Sequence, residues 1–196
     1  MEKSKKGPAL LGKDGNALVS LIVINVVVFV VIKFIEIIFY FSKLDVVIYN
    51  QTLLSQFALV SDAKNLLSSP WAIFTYMFIH NNLIGMLGNM MWLWAFGYIL
   101  QDLAGNKKII PLYIYGGIVG AIFFIAAHYI IPSSHTGLDH MLGAGIPLIA
   151  VCIATTTLAP QYRIFPFLAG GIPLWIVTAI FVLINMYNFQ SQFPKW

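Results

Sequence analysis

The sequence predicts an all-α fold, a polytopic membrane bundle of about five transmembrane helices with an interfacial helical insertion after the first. The composition is the first reason: 60% of the 196 residues are hydrophobic and 9% are charged, whereas soluble globular proteins carry about 25% charged residues. The second reason is that the apolar residues gather in runs able to cross ~30 Å of hydrocarbon at 1.5 Å per helical residue.

The chain divides into a cytoplasmic tail at 1–16, a membrane domain at 17–188 and a C-terminal tail at 189–196. No small-residue cleavage site follows the first apolar run, so we expect a retained helix rather than a signal peptide. Residues 43–70 mix apolar and polar side chains and predict one or two helices lying in the interface. The five predicted spans are about 17–41, 71–100, 109–131, 142–158 and 167–186.

Several local patterns predict how these helices turn and pack. Lys33 and Glu36 are three residues apart and either pair with each other or sit near the outer interface. Gly105 and Asn106 predict a turn. The glycines Gly116, Gly117 and Gly120 let helices approach closely. The threonines Thr155, Thr156 and Thr157 bond either back to the backbone of their own helix or across to a neighbouring helix.

The cations indicate the topology and exclude one class of partner. With five spans, seven cations fall on one side of the membrane and three on the other. The positive-inside rule then places the N-terminus in the cytoplasm and the C-terminus outside. The net charge of +4 therefore belongs to the membrane edges. The expected partners are the lipid bilayer and transmembrane helices of client or partner proteins, with no nucleic acid.

No metal or cofactor is predicted. His128, His135, Asp139 and His140 lie on or beside one outer loop, and imidazole and carboxylate are zinc ligands. Their spacing matches no recognised metal motif. Cys152 is the single cysteine, so no disulfide forms within the chain.

A polar cluster within residues 69–100 is the strongest functional candidate. His80, Asn81, Asn82 and Asn89 interrupt an apolar stretch, and polar groups at membrane depth cost several kcal/mol unless they have partners. Nine residues make about two and a half helical turns. His80 can therefore face Asn89 only if His80 lies in a non-helical segment, whereas Asn82 and Asn89 share a helix face.

These residues carry a family resemblance. The motif SPWAIFTYMFIH, an Asn nine residues after the His, and a Trp-rich helix ending in FG resemble the second helix of the rhomboid family of intramembrane serine proteases, in the form common in Bacteroidetes. LYIYGGIVGAIFF and MLGAGIPLIAVCIATTTLAPQYRIF are similar to the third and fourth helices. The resemblance covers roughly residues 70–165. It implies an integral protein of a bacterial inner membrane.

The family's activity would be that of an intramembrane serine endopeptidase. By analogy it uses a Ser at the start of helix four and a His on helix six. A His and an Asn from helix two, with backbone N–H groups, hold the oxyanion. On this resemblance His80 and Asn89 form an oxyanion-hole-like remnant, or else polar residues that fix helix packing.

The catalytic positions depart from the family pattern. Gly145 stands at the nucleophile position and Gly85 at the position of a second helix-two His. No Ser, Thr or Cys lies between Met141 and Ala150, and Thr155 is ~15 Å further along a helix. After helix five we expect no sixth helix to supply the base, and Asn185, Tyr187 and Asn188 are not substitutes for it.

Three functions stay open. The first is a pseudoprotease that binds transmembrane segments between helices two and five, or a subunit of a membrane complex. The second is an intramembrane serine protease in truncated or altered form. The third, ranked last because the intramembrane polar set is small, is a transporter or channel.

Overall fold

The computed structural model describes residues 16–42, 55–61, 63–130, 140–164 and 170–191. The helices are α1 (Ala17–Phe41), α2 (Ser55–Phe57), α3 (Ala63–Ser68), α4 (Ala72–Thr75), α5 (Leu83–Ala104), α6 (Ile109–Ile130), α7 (Gly145–Leu158) and α8 (Leu174–Ser191). Single 3₁₀ turns cover Tyr76–Phe78 and Asn106–Lys108. The short strands are β1 (Leu59–Val60), β2 (His140–Met141), β3 (Arg163–Ile164) and β4 (Ile172–Pro173).

The predicted all-α membrane bundle is confirmed. Three helical segments among the described residues are long and apolar enough to cross a bilayer: Ala17–Phe41, Leu83–Ala104 and Asn106–Ile130. Gly145–Leu158 and Leu174–Met186 are shorter apolar helices. The described part of the predicted interfacial insertion consists of α2, β1 and α3, while residues 43–54 lie outside the described residues.

The predicted span at about 71–100 is not one continuous helix. The chain forms α4 and a 3₁₀ turn, becomes extended at Ile79 and Asn82, and only then enters α5. The reason is a capping bond, because Asn82 Oδ1 accepts the Gly85 N–H at 2.6 Å. This bond satisfies a backbone donor that has no partner within the helix. The polar residues His80, Asn81 and Asn82 stand at this break, and Asn is a favoured N-cap residue, so the sequence carried a signal that the predicted span did not use.

The fourth and fifth predicted spans also begin too early. Helix α7 starts at Gly145 rather than 142, because Gly143 has a left-handed φ of 100° that does not continue a helix. Helix α8 starts at Leu174 rather than 167, after Gly170 and Gly171 at φ of 86° and 92°. It runs to Ser191, past the predicted end at 186. The rest of the predicted tails, 1–15 and 192–196, lie outside the described residues.

Helix α7 lies at the centre of the bundle and contacts three others. A Cβ on Gly116 or Gly120 of α6 would collide with Ala150 or Ile146 of α7, so the predicted close approach at these glycines is confirmed. These pairs also show that α6 and α7 are antiparallel. The predicted backbone bonds of the threonines are confirmed by Thr155 to Val151 O at 2.7 Å, Thr156 to Cys152 O at 2.8 Å and Thr157 to Ile153 O at 2.8 Å.

Two of these hydroxyls also reach neighbouring helices. Thr155 Oγ1 lies 3.4 Å from the Phe96 carbonyl of α5, to which it donates. Thr156 Oγ1 and Thr178 Oγ1 of α8 are 2.5 Å apart. Polar contacts of this kind hold helices together where hydrophobic burial against lipid contributes little.

The start of α1 is joined to the turn between α5 and α6. Asn16 caps α1 by accepting the N–H groups of Leu18 and Val19 at 3.1 and 3.3 Å. The Ala17 N–H donates to Asn106 Oδ1 at 2.8 Å. The predicted turn is confirmed, with Gly105 at a φ of 88°. The first described residue of the N-terminal region therefore lies at the end of the bundle where α5 ends and α6 begins.

The charge pair on α1 is confirmed. Lys33 Nζ lies 2.6 Å from Glu36 Oε2, with both side chains about a third exposed. Lys33 Nζ also stands 5.9 Å from the centre of the Phe29 ring.

Candidate functional site at the start of helix α7

His80 lies in the non-helical segment between the 3₁₀ turn and α5, and it is 4% exposed. Its imidazole has three polar neighbours. Nδ1 is 3.3 Å from the Phe78 carbonyl oxygen. Nε2 is 3.2 Å from Asn89 Nδ2 and 3.3 Å from the Ala144 backbone nitrogen. His80 therefore contacts Asn89 of α5 because His80 itself lies in the non-helical segment.

These partners determine the tautomer. A carbonyl oxygen only accepts, so the contact with Phe78 puts the imidazole proton on Nδ1. The Ala144 N–H only donates, so Nε2 is the acceptor there. Asn89 consequently turns its amide NH₂ towards the same nitrogen. His80 precedes the spanning helix α5, and burial lowers its pKa, against a smaller raising effect of the Phe78 hydrogen bond. The neutral ring is therefore favoured.

The loop before α7 packs against His80 and Asn89. The Gly143 N–H donates to the Tyr76 carbonyl at 2.8 Å. A Cβ on Gly143 would stand 3.6 Å from His80 Cδ2 and 3.7 Å from Asn89 Nδ2, in ordinary contact. Antiparallel pairing of Leu59 with Met141 holds the preceding residues. The position of the α7 start is thus set by the segments around His80.

Gly145 is the first residue of α7 and faces α8. A Cβ at this position would lie 2.6 Å from Asn185 Oδ1 and 3.7 Å from its Cγ. Asn185 is held by its own amide, which donates to the Phe181 carbonyl at 2.9 Å. The amide oxygen of Asn185 therefore occupies the space next to Gly145 into which a side chain would project.

Gly85 does not join this cluster. It lies in the exposed first turn of α5, where its N–H bonds to Asn82 Oδ1. A Cβ there would stand 3.0 Å from the same oxygen. Asn82 serves as the helix cap, and Asn81 is exposed. Of the four polar residues singled out in the sequence, only His80 and Asn89 meet.

Sequence reasoning missed a second buried polar contact. Asn25 of α1 is fully buried and donates to the Leu21 carbonyl at 2.8 Å. The Tyr113 hydroxyl of α6 donates to the Met77 carbonyl at 2.9 Å and lies 3.5 Å from Asn25 Oδ1. The sequence signal that could have indicated such contacts is a single amide side chain within an apolar run, as at Asn25 and Asn185.

Within the described part of the chain, no three His, Cys, Asp or Glu side chains come together as a metal-binding group. His128 lies on α6 and His140 on β2, whereas His135 and Asp139 are outside the described residues.

A family model, the Rhomboid domain, matches residues 67–192. No curated protein matches the chain. The matched residues are well over half of the sequence, and they include His80, Asn89, Gly145 and Asn185. Their helices are apolar and include spans long enough for a bilayer. The chain is an integral membrane protein that belongs to the rhomboid family.

Proposed function

We propose that this rhomboid is a pseudoprotease, which does not hydrolyse peptide bonds and instead binds transmembrane segments of client or partner proteins or serves as a subunit of a membrane complex. The observation that carries the proposal is at position 145. Glycine offers no nucleophile, and Asn185 Oδ1 lies 2.6 Å from where its Cβ would be. Loss of the nucleophile from such a catalytic unit removes most of the rate, on the order of 10⁶-fold.

The hydrogen bonding of His80 supports the same proposal. An oxyanion is stabilised by donors aimed at its developing charge, each contributing about 3 kcal/mol. Here the Asn89 amide and the Ala144 N–H both point to His80 Nε2, which carries no proton in this tautomer. The imidazole occupies the donors that an oxyanion would need. On this proposal His80 and Asn89 have a structural role and hold the start of α7 against α5.

The proposed binding surface lies between α5 and α8. The rings of Trp92 and Phe181 join the two helices, with centroids 5.2 Å apart. One aromatic contact contributes about 1 kcal/mol beyond its buried area, a small barrier to separation. A client helix entering here would separate these rings and reach the surface beside Gly145 and Asn185.

The test compares hydrolysis with binding in the same proteoliposomes. A photo-crosslinking residue at Ile184, which is exposed on α8 three residues after Phe181, should capture a model transmembrane segment, while the wild-type chain neither cleaves it nor reacts with a fluorophosphonate. The same residue at exposed Tyr115, on α6, is the matched control. Cleavage by the wild type, lost on His80→Ala or Asn89→Ala, would instead support an intramembrane serine protease in altered form.

We also infer a bacterial inner-membrane location with a cytoplasmic N-terminus. The bond from Ala17 to Asn106 is the support, since it joins the basic N-terminal region to the end that carries Lys107 and Lys108. Cations favour the cytoplasmic side. A single cysteine introduced at Ser4 of a Cys152→Ala chain should react with a membrane-impermeant maleimide only in inverted vesicles. Labelling in intact cells would contradict the inference.

A further inference from the structure

Three described cations, Lys107, Lys108 and Arg163, lie at one end of the bundle. The other described cations are Lys33, which pairs with Glu36, and Lys64. Lys107 and Lys108 form the 3₁₀ turn between α5 and α6, and Arg163 follows α7. Gly143, just before α7, lies beside Asn89 of α5, and Thr155 of α7 reaches Phe96 of α5, so these two helices run towards the same end of the bundle. We call the surface formed by Lys107, Lys108 and Arg163 the basic end.

The two lysines of the basic end are exposed, and the ammonium group of neither makes a hydrogen bond or ion pair with the described residues. Arg163 is also exposed, but its position is constrained. Nη1 donates to the carbonyls of Gly170 and Gly171, each at 3.2 Å. Among the described residues, one acidic side chain lies at this end, the exposed Asp102. Three cations against one carboxylate leave a surplus of positive charge.

Aromatic side chains mark the depth of this surface. Tyr162 is 43% exposed beside Arg163, and Trp175 is 51% exposed in the first turn of α8. Amphipathic rings of this kind settle at the headgroup level of a bilayer. Arg163, next to Tyr162, therefore stands at the depth of the lipid phosphates, and Lys107 and Lys108 lie at the same end of the bundle.

We propose that the basic end binds the phosphate groups of anionic phospholipids. The ammonium groups of Lys107 and Lys108, which have no partner among the described residues, supply the charge, and the positioned guanidinium of Arg163 adds further donors. The ligand is the lipid in the membrane rather than free phosphate, because the cations adjoin apolar helix surface that acyl chains cover. This inference is independent of whether the chain hydrolyses peptides.

The test is native mass spectrometry of the full chain in detergent with phosphatidylglycerol or phosphatidylcholine. The wild type should retain several-fold more phosphatidylglycerol, and Lys107→Gln with Lys108→Gln should reduce that preference at least threefold. Lys5→Gln with Lys6→Gln, which removes the same charge from the N-terminal tail, is the matched control and should leave it unchanged.

Three results would overturn the proposal. They are an unchanged preference in the Lys107→Gln, Lys108→Gln chain, an equal loss in the tail control, and displacement of the lipid by millimolar inorganic phosphate. A third chain with Lys107→Arg and Lys108→Arg keeps the charge and should keep the preference. Loss of the preference in this chain as well would be a fourth result against the proposal, because its positive charge is unchanged.

Discussion

Asn185 Oδ1 lies 2.6 Å from the point where a Cβ on Gly145 would stand. The two residues are far apart in the sequence, yet the fit of α8 against the start of α7 depends on both. A side chain at 145 must displace the Asn185 amide from its bond with Phe181. The contact therefore accounts for glycine at this position in terms of packing as well as chemistry.

Gly145→Ala should lower the thermal stability of the detergent-solubilised chain by about 1 kcal/mol, because the displaced amide loses a hydrogen bond. Combined with Asn185→Ala, it should cost less than the sum of the two single changes, since the clash is then absent. Unfolding monitored by intrinsic tryptophan fluorescence measures the cycle. Strict additivity would show that the residues do not interact.

His80→Ala should destabilise the chain by about 2 kcal/mol or more, because it leaves the buried Ala144 N–H without its acceptor. Asn81→Ala is the matched control, since Asn81 is exposed in the same segment, and it should change stability by less than about 0.5 kcal/mol. The same unfolding assay applies. Equal effects of the two changes would refute a structural role for His80 in holding the start of α7.

The stability should depend on pH through His80. Burial lowers its pKa in the folded chain, so the unfolded chain takes up the proton first, near pH 6.5. The contribution of His80 is then complete above pH 6.5 and is lost as the pH falls below it. Between pH 7 and 5 the melting temperature of the wild type should fall further than that of His80→Gln. Parallel curves would contradict this.

Two glycines provide a matched pair for the packing of the bundle. Gly120→Ala should destabilise by about 1–3 kcal/mol, because its Cβ would collide with Ile146. Gly88→Ala meets nothing within 4 Å and should be neutral or stabilising by up to about 1 kcal/mol, from helix propensity. Thermal unfolding of both variants and the wild type measures the two changes in stability. A loss of stability at position 88 equal to that at 120 would count against the packing argument.

Apolar runs and small residues predicted the bundle, because burial in lipid and close helix approach depend on composition and spacing. The break at Asn82 was missed although His80, Asn81 and Asn82 interrupt the apolar run there, because the predicted span rests on the apolar residues on both sides and not on the capping bond of Asn82. The rule that His80 meets Asn89 only from a non-helical segment follows from helix geometry alone. The contact of Asn185 with Gly145 could not be predicted, because it depends on how α8 lies against α7.

The bond from residue 144 to His80 is made by the main chain. Every amino acid except proline supplies that N–H, so the donor itself does not depend on the side chain at 144. The Ala144 side chain is fully buried, so only another small residue fits there without displacing its neighbours. Random mutagenesis under selection for folded protein should therefore admit small residues at position 144, whereas position 80 should retain a side chain that accepts the N–H of residue 144.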